Sequence, residues 1–208
     1  MKLYSYWRST TSYRVRIALA LKGVVFDTVP VDLVAGDQRT EAYLGVNPIA
    51  GVPSLMLDDG TVLTQSMAIL EWIEQAYPTP ALIPADPVQA AQVRAAALIM
   101  ATDVHPVNNL KVVQQLKAMG HSQDEGIAWM QDWMTRGLTA FDAVIPGGDF
   151  SFGSAPSLAD ICLVAQLYNA HRWGVDLTPY PRLTEIEARC LALPAFDAAR
   201  PENQPDAG

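Results

Sequence analysis

A proline-rich segment divides the sequence into two parts that differ in hydrophobic periodicity. The segment "YPTPALIPADP" covers residues 77–87 and contains four prolines. Proline fixes φ and lacks an N–H donor, so such a run continues neither a helix nor a strand and marks a boundary. We therefore predict one domain over residues 1–80, a linker over 78–87 and a second domain over 87–208.

The first part alternates between strand and helix patterns. Strand patterns occupy "KLYSY", "VFDTVPVDL" and a hairpin whose turn is Asp58-Asp59-Gly60. Helix patterns occupy "TSYRVRIALALKG", "RTEAYLGVN" and "SMAILEWIEQAY", the last with Ser66 as its N-cap. The predicted order is β-α-β-α-β-β-α, which defines an α/β domain.

The second part shows helical periodicity throughout, which predicts an all-α domain. Its longest pattern runs through "DVHPVNNLKV", where Pro106 should kink the helix. Ser122 with Glu125, and Ser157 with Asp160, have the spacing of helix caps. The final segment "PENQPDAG" is expected to be mobile.

Composition excludes several classes of function. The net charge of −8 disfavours a nucleic-acid-binding surface, and no apolar run approaches the ~18 residues of a membrane span. The opening residues "MKLYSYW" lack the apolar block of a signal peptide. The only cysteines, Cys162 and Cys190, stand among apolar residues at helical spacing, so we expect two buried free thiols and a cytoplasmic protein.

Several familiar catalytic and binding motifs are missing. The chain contains no G-x-x-x-x-G-K-[ST], no G-x-G-x-x-G and no G-x-S-x-G. His105, His121 and His171 lack paired ligand spacing, so no metal site is expected.

Three polar motifs remain as candidates for chemistry. "RSTTS" lies where the first strand enters the first helix, and a helix N-terminus there would bind anions while hydroxyls lower the pKa of a thiol or carboxyl. Val52-Pro53 precedes a core strand, and Gln65-Ser66 stands at a second strand-to-helix junction. Each motif alone is also typical of ordinary capping or strand-start residues. Arg14 and Arg16 fit a solvated helix face or a contact between domains.

Together these motifs resemble the glutathione transferase superfamily, and most closely its zeta class. The resemblance runs from Lys2 to Asp206 and is carried by "LYSYWRSTTSYRVRIALALKG", "NPIAGVPSL", "QSMAILEWIEQAYP", "DVHPVNNLKV", "SLADICLVAQ", "VDLTPYP" and "NQPD". It implies the glutathione transferase fold, with a thioredoxin-like N-terminal domain and an all-helical C-terminal domain, and glutathione as the cofactor.

The resemblance also assigns roles in the first domain. Ser9 would stabilise the glutathione thiolate, followed by Thr10 and by Thr11, where many members carry cysteine. Further cofactor-binding positions are the backbone of Val52 beside a cis Pro53, the γ-glutamyl carboxylate site at Gln65 and Ser66, and Gln38 near the glycine end.

In the second domain the resemblance places His105, Asn108, Asn109 and Lys111 near glutathione. Helical spacing would put the first three on one face, although His105 also suits a helix kink beside Pro106. Arg172 would hold a substrate carboxylate with Arg8 as its partner, because two guanidinium groups suit a dicarboxylate. A helix C-terminal cation is the alternative for Arg172.

The implied activity is glutathione-dependent cis–trans isomerisation of a maleyl-type acid. The expected reactions convert maleylpyruvate to fumarylpyruvate or maleylacetoacetate to fumarylacetoacetate, in a homodimeric protein of aromatic catabolism. Two alternatives stay open from the residues: glutathione conjugation or dehalogenation of small α-halo acids, and a non-catalytic binding module. The second alternative predicts a damaged glutathione site, whereas this chain keeps Ser9, Val52-Pro53 and Gln65-Ser66.

Overall fold

A computed structural model describes residues 1–207 and divides the chain into two compact units. The first unit contains Met1–Ala81 and the segment from Leu191 onward, and the second unit is Leu82–Cys190. The predicted domains of residues 1–80 and 87–208 differ from this division at the carboxyl end. There the terminal helix packs on the first helix of the chain, inside the first unit.

The first unit is built on a four-stranded mixed sheet. Its elements are β1 (Lys2–Ser5), α1 (Thr10–Leu21), β2 (Asp27–Pro30), α2 (Glu41–Leu44), β3 (Ser54–Met56), β4 (Val62–Thr64) and α3 (Ser66–Ala76). The strand order is β2-β1-β3-β4, with β1 parallel to β2 and antiparallel to β3, and with β3 antiparallel to β4. The predicted β-α-β-α-β-β-α order and the thioredoxin-like class are confirmed.

Helix α1 is the centre of the first unit. It packs against α3 and against the terminal helix α9 (Pro194–Ala199), and most of its residues are buried. Arg14 and Arg16 are each 1% exposed, which contradicts a solvated helix face for either side chain. Helix α1 has neighbours around most of its circumference, so its arginines must find polar partners inside the unit.

Within the described residues, the regular elements of the second unit are all helices, and one isolated β-bridge joins Phe150 and Gly153. The unit contains α4 (Pro87–Leu98), a π-helical turn (Ile99–Val104), α5 (Leu110–Ala118), α6 (Gln123–Val144), α7 (Leu158–Arg172) and α8 (Pro181–Leu191). The kink predicted at Pro106 is instead a complete break between the π-helical turn and α5. Proline cannot donate the next helical hydrogen bond, and the helix ends before it.

Both predicted caps in the second unit are confirmed. Ser122 and Glu125 exchange hydrogen bonds of 2.7 and 3.2 Å at the start of α6. Asp160 is fully buried and accepts from the Ser157 N–H and hydroxyl at 2.8 and 2.7 Å and from the Ser151 N–H at 2.8 Å. Among residues 1–207, every helix is too short or too polar to cross a lipid bilayer.

Two glycines of α6 should respond oppositely to alanine. A Cβ at Gly137 would overlap the Val104 side chain of the π-helical turn, whereas the nearest atom to a Cβ at Gly126 is Val113 Cγ1 at 4.0 Å. We expect Gly137→Ala to lower the free energy of unfolding by about 1–3 kcal/mol. Gly126→Ala should raise it by up to about 1 kcal/mol, because alanine favours helix. Urea denaturation measures both, and changes of the same sign would contradict this packing.

Candidate active site

A chain of hydroxyl hydrogen bonds stands at the start of α1. Ser9 is the N-cap of α1, and its Oγ accepts from the Ser12 N–H at 3.2 Å. Thr11 Oγ1 donates to the Val52 carbonyl at 2.7 Å and lies 2.9 Å from Ser9 Oγ. A carbonyl only accepts, so the single Thr11 proton is committed to Val52 and Ser9 must donate to Thr11.

This geometry separates the roles of the three predicted hydroxyls. The Ser9 proton is the one that can turn to a ligand at the positive end of α1, since its present acceptor is another hydroxyl. The Thr11 proton joins the turn to the loop that carries Val52. Thr10 is 6% exposed and donates to neither of the other two within residues 1–207. The structure therefore brings Ser9 and Thr11 together and leaves Thr10 apart.

The loop before β3 presents the backbone of Val52. The Val52–Pro53 peptide bond is cis, as the resemblance implies. Within residues 1–207, the Val52 N–H donates no hydrogen bond. The preceding Gly51 carbonyl accepts from Tyr43 Oη at 2.7 Å and Asn47 Nδ2 at 2.8 Å, which hold the loop in place. Burial, the main cause, raises the pKa of Tyr43, so this phenol stays a donor. Val52 thus offers an unused donor on a supported loop.

The start of α3 differs from the predicted cap. Gln65, not Ser66, is the N-cap: its carbonyl accepts from the Ile69 N–H at 3.0 Å, and Ser66 is the first helical residue. Gln65 has φ of 67°, in the left-handed region that glycine prefers. Such a backbone costs on the order of 1–3 kcal/mol and clusters at functional sites. The structure thereby adds a signal that the sequence lacked.

Ser66 is well placed to donate to an anion. It is 6% exposed, and its Oγ accepts from the buried Arg14 Nη1 at 3.4 Å. This leaves the hydroxyl proton available beside the N–H groups of the first α3 turn, which favour a carboxylate.

Gln38 provides a buried acceptor in the same unit. It lies in the short 3-10 turn Asp37–Arg39, is 8% exposed and donates from Nε2 to the Leu33 carbonyl at 3.4 Å. Its Oε1 is buried without a hydrogen-bond partner in residues 1–207. A buried acceptor left in this way favours a ligand N–H.

Arg8 is a half-buried cation held by aromatic rings. Its guanidinium lies 4.7 Å from the centre of the Trp7 ring, and Nη2 donates to Tyr6 Oη at 3.0 Å. Its Nε is buried without a partner, and no carboxylate of residues 1–207 lies within 4.0 Å of it. Arg8 is therefore oriented but not neutralised, which suits an anionic ligand.

Of the predicted site residues of the second unit, His105, Asn108 and Asn109 lie in the non-helical segment before α5, and Lys111 lies in the first turn of α5. The shared helical face expected for His105, Asn108 and Asn109 is wrong, because the chain leaves the helix before Pro106. Asn109 nevertheless contacts His105, with 3.3 Å between Nδ2 and Nε2, and also caps α5. Asn108 is 2% exposed with both amide atoms unpartnered, and Lys111 is exposed.

Arg172 is the last residue of α7 and is exposed. Its guanidinium lies 5.3 Å from the centre of the Trp173 ring. This is also where a cation offsets the helix dipole, so its role toward a substrate stays a prediction.

The carboxyl-terminal segment is more ordered than predicted. Gln204 Nε2 donates to the Ala198 and Arg200 carbonyls at 3.0 and 2.7 Å, and Asp206 Oδ2 accepts from the Trp7 N–H at 2.9 Å. Over residues 201–207 the expectation of a mobile tail is wrong, because these side chains fold back on the first unit; Gly208 lies outside the described residues. The polar "NQPD" motif was the available signal, but the partner of Asp206 is remote in sequence.

No described cysteine stands at the hydroxyl turn. Cys162 and Cys190 are both fully buried in the second unit, as predicted. Burial, assisted by the nearby Asp160 and Glu187 carboxylates, raises the pKa of the Cys190 thiol far above its usual range. Residues 1–207 contain no cluster of three or more His, Cys, Asp or Glu side chains that would hold a metal.

Thiol alkylation should therefore leave this protein unaffected in its native state. We expect iodoacetamide to modify neither cysteine before unfolding and to leave glutathione binding unchanged after the reagent is removed, because a buried neutral thiol is a poor nucleophile. Mass spectrometry counts the modified thiols, and the same treatment in urea is the control. Native modification accompanied by loss of binding would contradict this expectation.

A sheet of this topology with a hydroxyl turn at α1, followed by a helical unit, is the architecture of glutathione transferases. Residues 1–75 match the family "Glutathione S-transferase, N-terminal domain", and residues 114–189 match "Glutathione S-transferase, C-terminal domain". The chain belongs to the zeta class of the glutathione transferase family.

Individual relatives are similar over their full length. The maleylacetoacetate isomerase of Pseudomonas aeruginosa is 45% identical, across 99% of this chain and 98% of the relative. A holo structure of a zeta-class bacterial maleyl pyruvate isomerase is 44% identical, with a TM-score of 0.97 and complete coverage of both chains. A maleylacetoacetate isomerase from Anaeromyxobacter dehalogenans, solved with dicarboxyethyl glutathione and citrate in the active site, is 44% identical with a TM-score of 0.90 and covers 100% of this chain and 97% of its own.

Proposed function

We propose that this protein is a glutathione-dependent cis–trans isomerase of a maleyl-type dicarboxylic acid. Its reaction converts maleylacetoacetate to fumarylacetoacetate or maleylpyruvate to fumarylpyruvate. The observation that carries this proposal is the Ser9 hydroxyl at the start of α1, joined through Thr11 to the Val52 loop. The names of the relatives, which cover both reactions, support it.

The polar groups of the first unit fit glutathione. A tripeptide with a thiol needs an activating donor for sulfur, a donor for its peptide carbonyl, a carboxylate site and an acceptor for an N–H. The sulfur donor is Ser9, and the donor for the peptide carbonyl is the Val52 N–H. The carboxylate site is the helix start at Gln65-Ser66, and the acceptor is the unpartnered Gln38 Oε1. From the second unit we add His105, Asn108, Asn109 and Lys111, of which Asn108 has a buried unpartnered amide.

The reaction needs a carbon–carbon double bond to become temporarily single. Glutathione, when bound, supplies a thiolate that adds reversibly to the conjugated double bond. Ser9 lowers the pKa of the thiol by donating a hydrogen bond at the α1 N-terminus. Arg8 holds a substrate carboxylate while the central bond turns, and Arg172 is the proposed ligand of the other carboxylate. No net oxidation or reduction occurs, and the thiol is regenerated.

We propose a homodimer with a small dicarboxylate as substrate, in the cytoplasm, without nucleic-acid or membrane partners. Analytical ultracentrifugation tests the dimer: a sedimentation mass near twice 22.6 kDa supports it.

The test of activity compares glutathione with S-methylglutathione, which keeps the peptide and lacks a free thiol. Purified protein is incubated with each cis substrate, and ultraviolet absorbance follows the conversion. We expect isomerisation of at least one substrate with glutathione and none with the methylated peptide. Absence of a glutathione-dependent change with both substrates would refute the proposal, and product analysis with an α-halo acid would then test conjugation or dehalogenation.

A further inference from the structure

Asp206, near the carboxyl end of the chain, holds the backbone of the β1–α1 loop. Its Oδ2 accepts from the Trp7 N–H at 2.9 Å, a contact between residues 199 positions apart. The tail that carries Asp206 is anchored by Gln204, which donates to the Ala198 and Arg200 carbonyls. Asp206 is therefore held in place by hydrogen bonds of its own side chain and of the neighbouring Gln204.

The same loop is also held by the buried Arg16. Its Nη2 donates to the Trp7 carbonyl at 2.9 Å, and its Nη1 donates to Ser5 Oγ at 3.1 Å and to the Tyr6 carbonyl at 3.4 Å. Its Nε donates to the Ala199 carbonyl at 3.1 Å. Both polar groups of the Trp7 backbone are thus occupied, one by Arg16 and the other by Asp206.

Packing alone does not fix Trp7 on this side. A cavity of about 260 Å³ adjoins it, lined by Tyr6, Trp7, Pro30, Asp32, Val34 and Asp206. Unfilled space beside an aromatic residue leaves room for the loop to relax once a hydrogen bond is removed. Within residues 1–207, the hydrogen bond to Asp206 joins the Trp7 N–H to another residue that lines this cavity.

Trp7 in turn positions Arg8. The guanidinium lies 4.7 Å from the centre of the Trp7 ring and makes no ion pair within residues 1–207. Asp206 thus supports the loop without neutralising its cation. A long arginine side chain loses much conformational entropy when it binds a carboxylate, and a ring that preorganises it lowers that cost.

We propose that Asp206 is a positioning residue that orients Arg8 toward a substrate carboxylate, acting through the backbone and ring of Trp7. This inference rests on the proposed function, because it takes Arg8 as a substrate ligand. The carboxyl-terminal segment then belongs to the substrate-binding machinery although it touches no substrate.

Five variants test the inference: the single changes Asp206→Ala, Asp206→Asn, Glu202→Ala and Arg8→Leu, and the double change of Arg8→Leu with Asp206→Ala. Asparagine keeps an oxygen acceptor for the Trp7 N–H. Glu202 lies in the same tail, is exposed and makes no side-chain hydrogen bond within residues 1–207, so it controls for the charge.

We expect Asp206→Ala to raise the substrate KM about tenfold, with the glutathione KM changed less than about twofold. Asp206→Asn should stay within about threefold of the unchanged protein, and Glu202→Ala should have no effect.

Coupling to Arg8 separates positioning from general structural damage. In the Arg8→Leu background, Asp206→Ala should change the substrate KM by less than about twofold, because the two residues act on one interaction. An equal effect in both backgrounds would overturn the inference, as would equal rises in the two KM values or equal damage from asparagine and alanine.

Hydrogen exchange of the Trp7 amide is an independent readout that needs no activity. We expect at least about tenfold faster exchange in Asp206→Ala than in the unchanged protein and a smaller increase in Asp206→Asn. Unchanged exchange overturns the anchoring step. If the unchanged protein isomerises neither substrate while exchange follows this pattern, the anchor stands and the proposed function fails, so the two failures are distinguishable.

Discussion

Ser9→Ala is expected to lower kcat/KM for the cis substrate by about 10²–10³-fold, the cost of losing a donor to developing charge in an active site. Thr11→Ala should lower it by only about tenfold, in line with the loss of a supporting hydrogen bond. The difference follows from the proton positions. Thr11 donates to the Val52 carbonyl, whereas the Ser9 proton rests on another hydroxyl and can turn to sulfur.

Two measurements accompany these variants. Loss of the Ser9 donor raises the pKa of the bound thiol, so Ser9→Ala should recover part of its activity as the pH is raised. The pH midpoint of the thiolate absorbance of bound glutathione should also move to higher pH. Thr11→Ser keeps the donor to Val52 and is the matched control for Thr11→Ala. A greater loss from Thr11→Ala than from Ser9→Ala would show that the catalytic hydroxyl has been assigned wrongly.

Arg8→Leu is expected to raise the substrate KM by about 100-fold, because truncating one partner of a charged hydrogen-bonded pair costs on the order of 2–5 kcal/mol. Arg8 has a buried Nε without a partner and no carboxylate within reach in residues 1–207, so its interaction energy is available to a ligand. Arg172→Leu should have an effect of similar size if that arginine binds the second carboxylate. Lysine at either position keeps the positive charge and should retain part of the affinity for substrate. The rest should be lost, because an ammonium cannot pair bidentately with a carboxylate.

The control for these charge changes is Arg136→Leu. Arg136 pairs with Asp132 at 2.8 Å, and both side chains are more than half exposed, so its removal should leave the substrate KM unchanged. Glutathione KM is measured for every variant to separate the two ligands. If Arg8→Leu and Arg172→Leu both stay within about threefold of the unchanged protein, arginine recognition of the substrate is refuted.

Local sequence signals predicted the parts of the fold that depend on local physics. The proline-rich boundary separated an α/β part from an all-α part, and the Ser122 and Ser157 caps formed where their spacing indicated. The end of the chain could not be predicted in this way. Helix α9 packs on α1, and Arg16 donates to Ala199 from 183 positions away, a partner that periodicity does not reveal.

The candidate site shows the same division between local and remote effects. The hydroxyl run, Val52-Pro53 and Gln65-Ser66 were identifiable because each occupies a junction between adjacent elements. The different hydrogen-bonding roles of Ser9 and Thr11 could not be identified from the sequence, since they depend on a bond from Thr11 to a carbonyl 41 residues away. The helical face predicted for His105 and Asn108 failed because spacing arguments assume an unbroken helix, and Pro106 ends it.

In the proposed reaction glutathione acts catalytically and is not consumed. The most direct measurement supplies glutathione at one-hundredth of the concentration of the cis substrate and follows both the trans product and the free thiol. We expect complete conversion with an unchanged thiol concentration. Product formation that stops at the amount of glutathione added, with loss of free thiol, would contradict it and indicate a conjugating transferase.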